Sequence, residues 1–237
     1  MQIAIVLYPG VTALDAIGPY EVLRMLPDAD LRFVWHEPGP IVADSGVLVL
    51  GATHSLDETP APDIVLVPGS GTAFATVATD EKLLAWLQQV HRSTTWTVSV
   101  CSGALVLGAA GLLDGLSATT HWLAQPALIP LGAKPQRSER IVREGKIVTA
   151  AGVSAGIDLA LWLAGEIAGR EHAEMIQLTI EYDPRPPFDA GHPSKASKRV
   201  VATATTESMR VGANRAHAVA IPKLLWSSTI RRVRARR

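Results

Sequence analysis

The sequence predicts an α/β fold, a three-layer sandwich in which a mostly parallel sheet carries helices on both faces. Three observations predict it. Short apolar runs alternate along the chain with helix-length patterns, which is how successive βαβ units read. The run Asp63-Ile64-Val65-Leu66-Val67 is apolar almost without interruption, as a strand buried on both faces must be. The chain has 237 residues, 48% of them hydrophobic, enough for one large core with no need for two.

The elements follow in order. Residues 3–7 form a first strand that ends at Pro9-Gly10, and Asp15 leads into a helix running through Pro19 and Glu21 to Leu26. Residues 31–35 are the next strand. Residues 41–43 and 47–50 flank Asp44-Ser45-Gly46, a hairpin pattern. The strand at 63–67 empties into the loop Pro68-Gly69-Ser70-Gly71. Residues 80–92 have helical spacing, with Leu83, Leu84, Leu87 and Val90 on one side. The run Trp96-Thr97-Val98-Ser99-Val100 is a strand that breaks at Cys101 into a helix over 104–110. Residues 140–143 and 146–150 flank Glu144-Gly145 as a second hairpin. Residues 154–169 form a helix with Ser154 as N-cap and Gly169 as its stop, and 170–182 form another. Pro184, Pro186, Pro187 and Pro193 then force an extended segment.

The net charge of +0 conceals an asymmetry. Residues 1–207 hold 14 Lys+Arg against 22 Asp+Glu, whereas residues 208–237 hold 8 Lys+Arg and no acid. A single acidic domain over 1–207 and a basic tail over 208–237, poorly ordered or atypical, are therefore expected. The tail run Arg231-Arg232-Val233-Arg234-Ala235-Arg236-Arg237 leaves a weak nucleic-acid option open, with a solvated end as the simpler reading. The start, Met1-Gln2-Ile3-Ala4-Ile5-Val6-Leu7, lacks a basic leader and reads as a strand. Residues 93–113 are free of charge and long enough to span a bilayer, but Thr94, Thr95, Ser99, Ser102 and several glycines interrupt them, so strand, turn and buried helix explain the run and no membrane partner is expected. One cysteine excludes an internal disulfide framework and suits a reducing, cytoplasmic setting.

That cysteine is the main chemical signal. Ser99-Val100-Cys101-Ser102-Gly103 reads like a nucleophile elbow, with Cys in place of Ser and Ser in place of the first Gly. The following helix N-terminus is expected to lower the thiol pKa; a small buried hydrophobe is the bland alternative. Three loops should meet at the C-terminal edge of the sheet, those holding Asp15, Gly69-Ser70 and Cys101, which is where open α/β sheets bind ligands. Asp15 is the best proton partner for the thiol, as acid, base or orienter, against the alternative of a helix N-cap. The pair would titrate jointly. Glu21, one turn on, could point back at the site or be a solvated helix residue. Backbone N–H groups of Gly69, Ser70 and Ser102 could form an oxyanion-type hole. His121 in Thr119-Thr120-His121-Trp122 is a candidate for a Cys–His pair, though a His beside Trp more often lines a pocket. Trp122 and Val153 are weaker pocket-lining candidates. His36, His54, His91, His121, His172, His192 and His217 show no H-x-x-x-H or H-E-x-x-H spacing, and no Walker loop or Gly-x-Gly-x-x-Gly follows strand one, so neither metal nor nucleotide cofactor is expected.

Together these residues resemble the ThiJ/PfpI superfamily, with its glutamine-amidotransferase-like, flavodoxin-like sandwich, over nearly everything from Gln2 to about Thr206. The resemblance rests on Leu14-Asp15-Ala16-Ile17-Gly18-Pro19-Tyr20-Glu21-Val22-Leu23, Pro68-Gly69, Ser99 through Gly108, Gly111-Leu112-Leu113-Asp114-Gly115, Ala118-Thr119-Thr120-His121-Trp122 and Ala155-Gly156-Ile157-Asp158. Within it, Glu37-Pro38-Gly39-Pro40-Ile41-Val42 and Glu181-Tyr182 with Pro186-Pro187-Phe188-Asp189-Ala190-Gly191 are similar to the members that hydrate isonitriles. The resemblance implies a cofactor-free homodimeric enzyme acting on a small molecule, with Cys101 adding to the isonitrile carbon and Asp15 handling protons. It also implies two departures: Ser102 stands where those members carry Thr, and Pro68-Gly69-Ser70 where Pro-Gly-Gly is usual. Gly-Leu-Leu-Asp-Gly and Ala-Thr-Thr-His-Trp are similar as well to the sensor domain of AraC-type regulators, so a ligand or stress sensor is one alternative and a glyoxalase-like or deglycase-like enzyme using the same Cys is another.

Overall fold

The computed structural model describes residues 1–212 and 215–235, without the side chains of 215, 216 and 231–235. A seven-stranded sheet forms its centre. The first βαβ unit is β1 (Gln2–Val6), α1 (Ala13–Leu23) and β2 (Asp30–Trp35). A two-stranded antiparallel hairpin follows, β3 (Gly39–Val42) and β4 (Val49–Ala52), pairing Ile41 with Leu50 around Asp44-Ser45-Gly46. The sheet resumes with the short β5 (His54–Ser55) and with β6 (Ile64–Val67). Next come α2 (Phe74–Val77), α3 (Glu81–Val90), β7 (Trp96–Val100) and α4 (Gly103–Ala109). Small elements β8 (Ser117–Ala118), α5 (Gln125–Leu128) and β9 (Lys134–Pro135) lead to the second hairpin, β10 (Ile141–Glu144) and β11 (Ile147–Ala150). Helices α6 (Ala155–Ala168), α7 (Arg170–Thr179), α8 (Lys198–Gly212) and α9 (Arg215–Ala235) complete the chain.

Strand order in the sheet is β10-β11-β7-β6-β1-β2-β5, all parallel except the β10 edge. The parallel core strands β1, β6 and β7 are buried along almost their whole length, as expected for strands covered on both faces. The chain steps from β1 outward to β2, but from β6 in the opposite direction to β7. Right-handed crossovers therefore put α1 and α3 on opposite faces. Helix α1 packs on α6 and α6 on α7; α3 packs on α4. Strand order reverses between β1 and β6, so the loops leaving these two strands part there and open a crevice at the C-terminal edge. Loops from β1, β6 and β7 face it.

The expected elements are present, with ends moved by one to three residues. At the C-terminus, where a poorly ordered or atypical tail is expected, α9 is a helix that presents His217, Ala220, Leu224 and Ser228 as one buried face at helical spacing. Phe74 packs on His217 at 4.6 Å, Ser228 Oγ donates to the Pro130 carbonyl at 3.0 Å, and Lys223 reaches Glu81 at 3.0 Å. Two of the four stripe residues are polar and Pro222 lies within the helix, which is why apolar periodicity did not reveal it. The side chains of the basic run 231–237 lie outside the described residues. No helix among the described residues is long and apolar enough to cross a membrane.

Candidate active site

Asp15 enters the crevice from the first turn of α1, an acidic position that suits the helix dipole. Its side chain is fully buried. Oδ2 accepts the Gly69 backbone N–H at 2.9 Å, across the β1–β6 divide, and Oδ1 makes no hydrogen bond among the described residues. Gly69 has no room for a side chain. A Cβ there would meet Ser102 N at 2.5 Å, Ser102 Oγ at 2.7 Å and Asp15 Oδ2 at 2.8 Å.

Cys101 leaves β7 with φ +56, a left-handed conformation that costs a non-glycine residue about 1–2 kcal/mol. Its N–H still reaches the Ala150 and Ala151 carbonyls at 3.2 and 3.1 Å, and its carbonyl accepts the Thr120 hydroxyl at 2.7 Å. The turn is thereby over-determined on both sides. Helix α4 follows at once because Gly103, lacking a Cβ, lies directly against the Val67 and Pro68 carbonyls. The backbone N–H groups of Ser102 and Val153 are both directed at the sulfur. Val153 is itself strained, with φ +25 at the entry to α6.

Burial dominates the electrostatics. It is the largest cause raising Asp15 from 3.8 to about 7; the Gly69 N–H and the Cys101 thiol oppose it, and Asp44 adds a little to it. Burial and then the Asp15 charge push the Cys101 thiol well above its usual range, against the pull of the Val153 and Ser102 N–H groups. The expectation that a helix N-terminus would lower the thiol pKa is thus outweighed by desolvation. Two buried acids side by side do not both ionise: below about 7 both hold their protons, and above it the pair carries a single negative charge. The two N–H groups act to draw that charge toward sulfur and the remaining proton toward Asp15. Tyr8 closes the floor, fully buried with its hydroxyl on the Pro68 carbonyl at 2.8 Å, and feels both acids.

The structure brings Cys101, Asp15, Gly69, Ser70, Ser102 and Val153 together. It assigns some of them different partners from those expected. The Gly69 N–H is occupied by Asp15, and the Ser70 N–H by Ser102 Oγ at 2.8 Å. That hydroxyl donates in turn to the Ser70 carbonyl at 2.9 Å, so it braces the β6 loop and makes no bond to Asp15. Ser70 Oγ is bound to the Gly10 carbonyl and to the Thr72 and Ala73 N–H groups. Neither Gly69 nor Ser70 therefore offers a free oxyanion donor. Glu21 forms a half-exposed ion pair with Arg24 at 2.7 Å, as a solvated helix residue does. His121 lies against Gly152, where a Cβ would meet its ring carbon at 2.5 Å, beside Val153; burial lowers its pKa, disfavouring the charged ring. Trp122 packs on His121 at 5.8 Å and stays partly exposed. Sequence reasoning missed Tyr8, whose apolar strand-end setting hid its hydroxyl.

The model of the DJ-1/PfpI family matches residues 1–166. Among curated proteins, the isonitrile hydratase of Pseudomonas putida is 43% identical over 201 residues, spanning 85% of this chain and 87% of that protein. An HTH-type transcriptional regulator of Pseudomonas aeruginosa is 31% identical across 72% of this chain but only 52% of the regulator. Among solved structures, a ThiJ/PfpI family protein from Pseudomonas syringae superposes with a TM-score of 0.85 at 36% identity, covering 92% of this chain and 90% of that one.

Proposed function

Because the chain belongs to the DJ-1/PfpI family, we propose that it is an isonitrile hydratase in which Cys101 is the nucleophile and Asp15 carries the protons. One observation carries the reading: a buried carboxyl with a proton affinity near neutrality beside a cysteine on a strained elbow, in a chain 43% identical to a curated isonitrile hydratase.

The chemistry follows from the geometry. The terminal carbon of a neutral isonitrile takes the Cys101 sulfur, and the S–C bond forms as Asp15 gives that carbon a proton. The product of this step is a thioimidate, R–N=CH–S–Cys. Water then adds to the same carbon; one of its protons passes to Asp15, and the other, from the hydroxyl of the adduct, ends on the nitrogen. The C–S bond breaks, sulfur leaves as thiolate, and R–NH–CHO departs, so the net reaction adds one water to the isonitrile. A base poised near 7 serves both directions of transfer at neutral pH. The first step develops no oxyanion. The occupied Gly69 and Ser70 N–H groups suit that chemistry better than acyl transfer, while the free donors point at the sulfur. The same reading carries a homodimer in the cytosol, supported by the family resemblance and by a lone, unpaired cysteine.

The test is incubation with a simple alkyl or aryl isonitrile, following the formamide by mass spectrometry for wild type and Cys101→Ala. Turnover by wild type alone is expected. Turnover retained in Cys101→Ala contradicts the mechanism. No turnover by either, with Cys101 still alkylated, shifts the case toward sensing or another electrophile.

A further inference from the structure

Thr12 occupies the N-cap position of α1, where a threonine hydroxyl ordinarily accepts a backbone N–H from the first turn. It makes no such bond. Its hydroxyl donates instead to Asp44 Oδ2 at 2.6 Å, in the turn of the β3–β4 hairpin. The Thr12 backbone joins the two groups that fix the proton carrier: its N–H donates to the Gly69 carbonyl at 2.9 Å, and its carbonyl accepts the Asp15 N–H at 3.0 Å. Gly69 returns its own N–H to Asp15 Oδ2. The hairpin is pinned to the same loop by Gly10 N–H on the Val42 carbonyl at 2.8 Å and Asp44 N–H on the Val11 carbonyl at 3.0 Å. Its tip is otherwise exposed, at Val47, Leu48 and Val49, so the core does not dictate where it lies.

We propose that Asp44 is a positioning residue for Asp15, acting through the Thr12 hydroxyl. The proposal rests on the reading of Asp15 as proton carrier. A threonine that gives up its cap to hold a second carboxylate fixes the turn from which Asp15 projects. It also keeps a negative charge on the far side of that turn. The titratable groups facing Asp15 are Cys101 and Asp44, with Tyr8 behind them, and among the described residues no cation acts on it. Asp44 therefore adds to burial in making Asp15 keep its proton.

Thr12→Val, Thr12→Ser and Asp44→Asn test this in the full-length protein, with Cys101→Ala alongside, by isonitrile turnover across pH. Thr12→Val loses the hydroxyl and is expected to lower kcat about tenfold with KM within about twofold. Thr12→Ser restores the hydroxyl and kcat. Asp44→Asn keeps an acceptor but removes the charge, so the alkaline limb of kcat/KM moves to lower pH by about half a unit. Wild-type kcat and pH profile in both Thr12→Val and Asp44→Asn, with Cys101→Ala inactive, overturn the positioning role alone. Equal losses in Thr12→Val and Thr12→Ser also overturn it, since packing and not the hydroxyl would then matter. Activity retained in Cys101→Ala overturns the underlying reading instead.

Discussion

Asp15 and Asp158 are each the acidic residue in the first turn of one of two helices that pack against each other, third in α1 and fourth in α6. Their surroundings differ. Asp158 is partly exposed, bound to the Arg140 guanidinium and accepting the Tyr182 hydroxyl at 2.7 Å. Asp15 is buried with one backbone N–H, an orphaned oxygen and a thiol. A first-turn carboxylate is favourable in both places. On the proposed reading, what separates a structural acid from a proton carrier is burial with no cation beside it among the described residues, since burial disfavours the charged carboxylate.

The largest consequence is kinetic. Asp15→Asn keeps the acceptor for the Gly69 N–H but cannot exchange a proton, and steady-state turnover of an isonitrile is expected to fall by about 10²–10⁴-fold. Next comes Gly69→Ala, whose new Cβ would press on Ser102 and Asp15; overpacking of this kind costs about 1–3 kcal/mol, read by denaturant unfolding, and turnover should fall with it. The contrast also has a stability signature. A carboxyl raised from 3.8 to about 7 binds its proton in the folded state over that range while the unfolded chain releases it, so stability declines as pH rises from about 4 to 7. The single-group loss is at most ~4 kcal/mol. Asp15→Asn removes it, and its Tm relative to wild type should climb between pH 5 and pH 8. Asp158→Asn lies at the other end. An exposed pair is worth about 0–1 kcal/mol, and turnover should stay within about threefold. A loss as large as that of Asp15→Asn would make the two carboxylates equivalent. The smallest effect is Glu21→Gln, within about twofold in kcat and KM, because Glu21 faces Arg24 and solvent.

Much of this was legible in the residues. The continuous apolar runs at β1, β6 and β7 announce a doubly covered sheet, and the order of strand, turn and helix places the loops of Asp15, Gly69 and Cys101 at one edge. Hydrogen-bond ownership was not legible. Gly69 and Ser70 offer N–H groups in any reading of the sequence; only the fold shows that Asp15 and Ser102 already take them. The sign of the thiol shift was hidden for a related reason: a helix N-terminus is written locally, whereas desolvation comes from strands and loops distant in the chain. Between the two readings of Glu21, spacing alone leans to the solvated one, since six residues beyond Asp15 places it on a different side of α1, where it pairs with Arg24. The cap that Thr12 gives up depends on Asp44, a contact 32 residues away that no local pattern encodes.

Burial raises the Asp15 carboxyl to about 7, so it is expected to hold a proton near neutral pH, and infrared difference spectroscopy of wild type against Asp15→Asn reads that proton directly. A protonated carboxyl band present at pH 6 and lost with a midpoint of about 7 is the expected result. A band already absent at pH 5 would show an ordinary ionised aspartate and contradict the account.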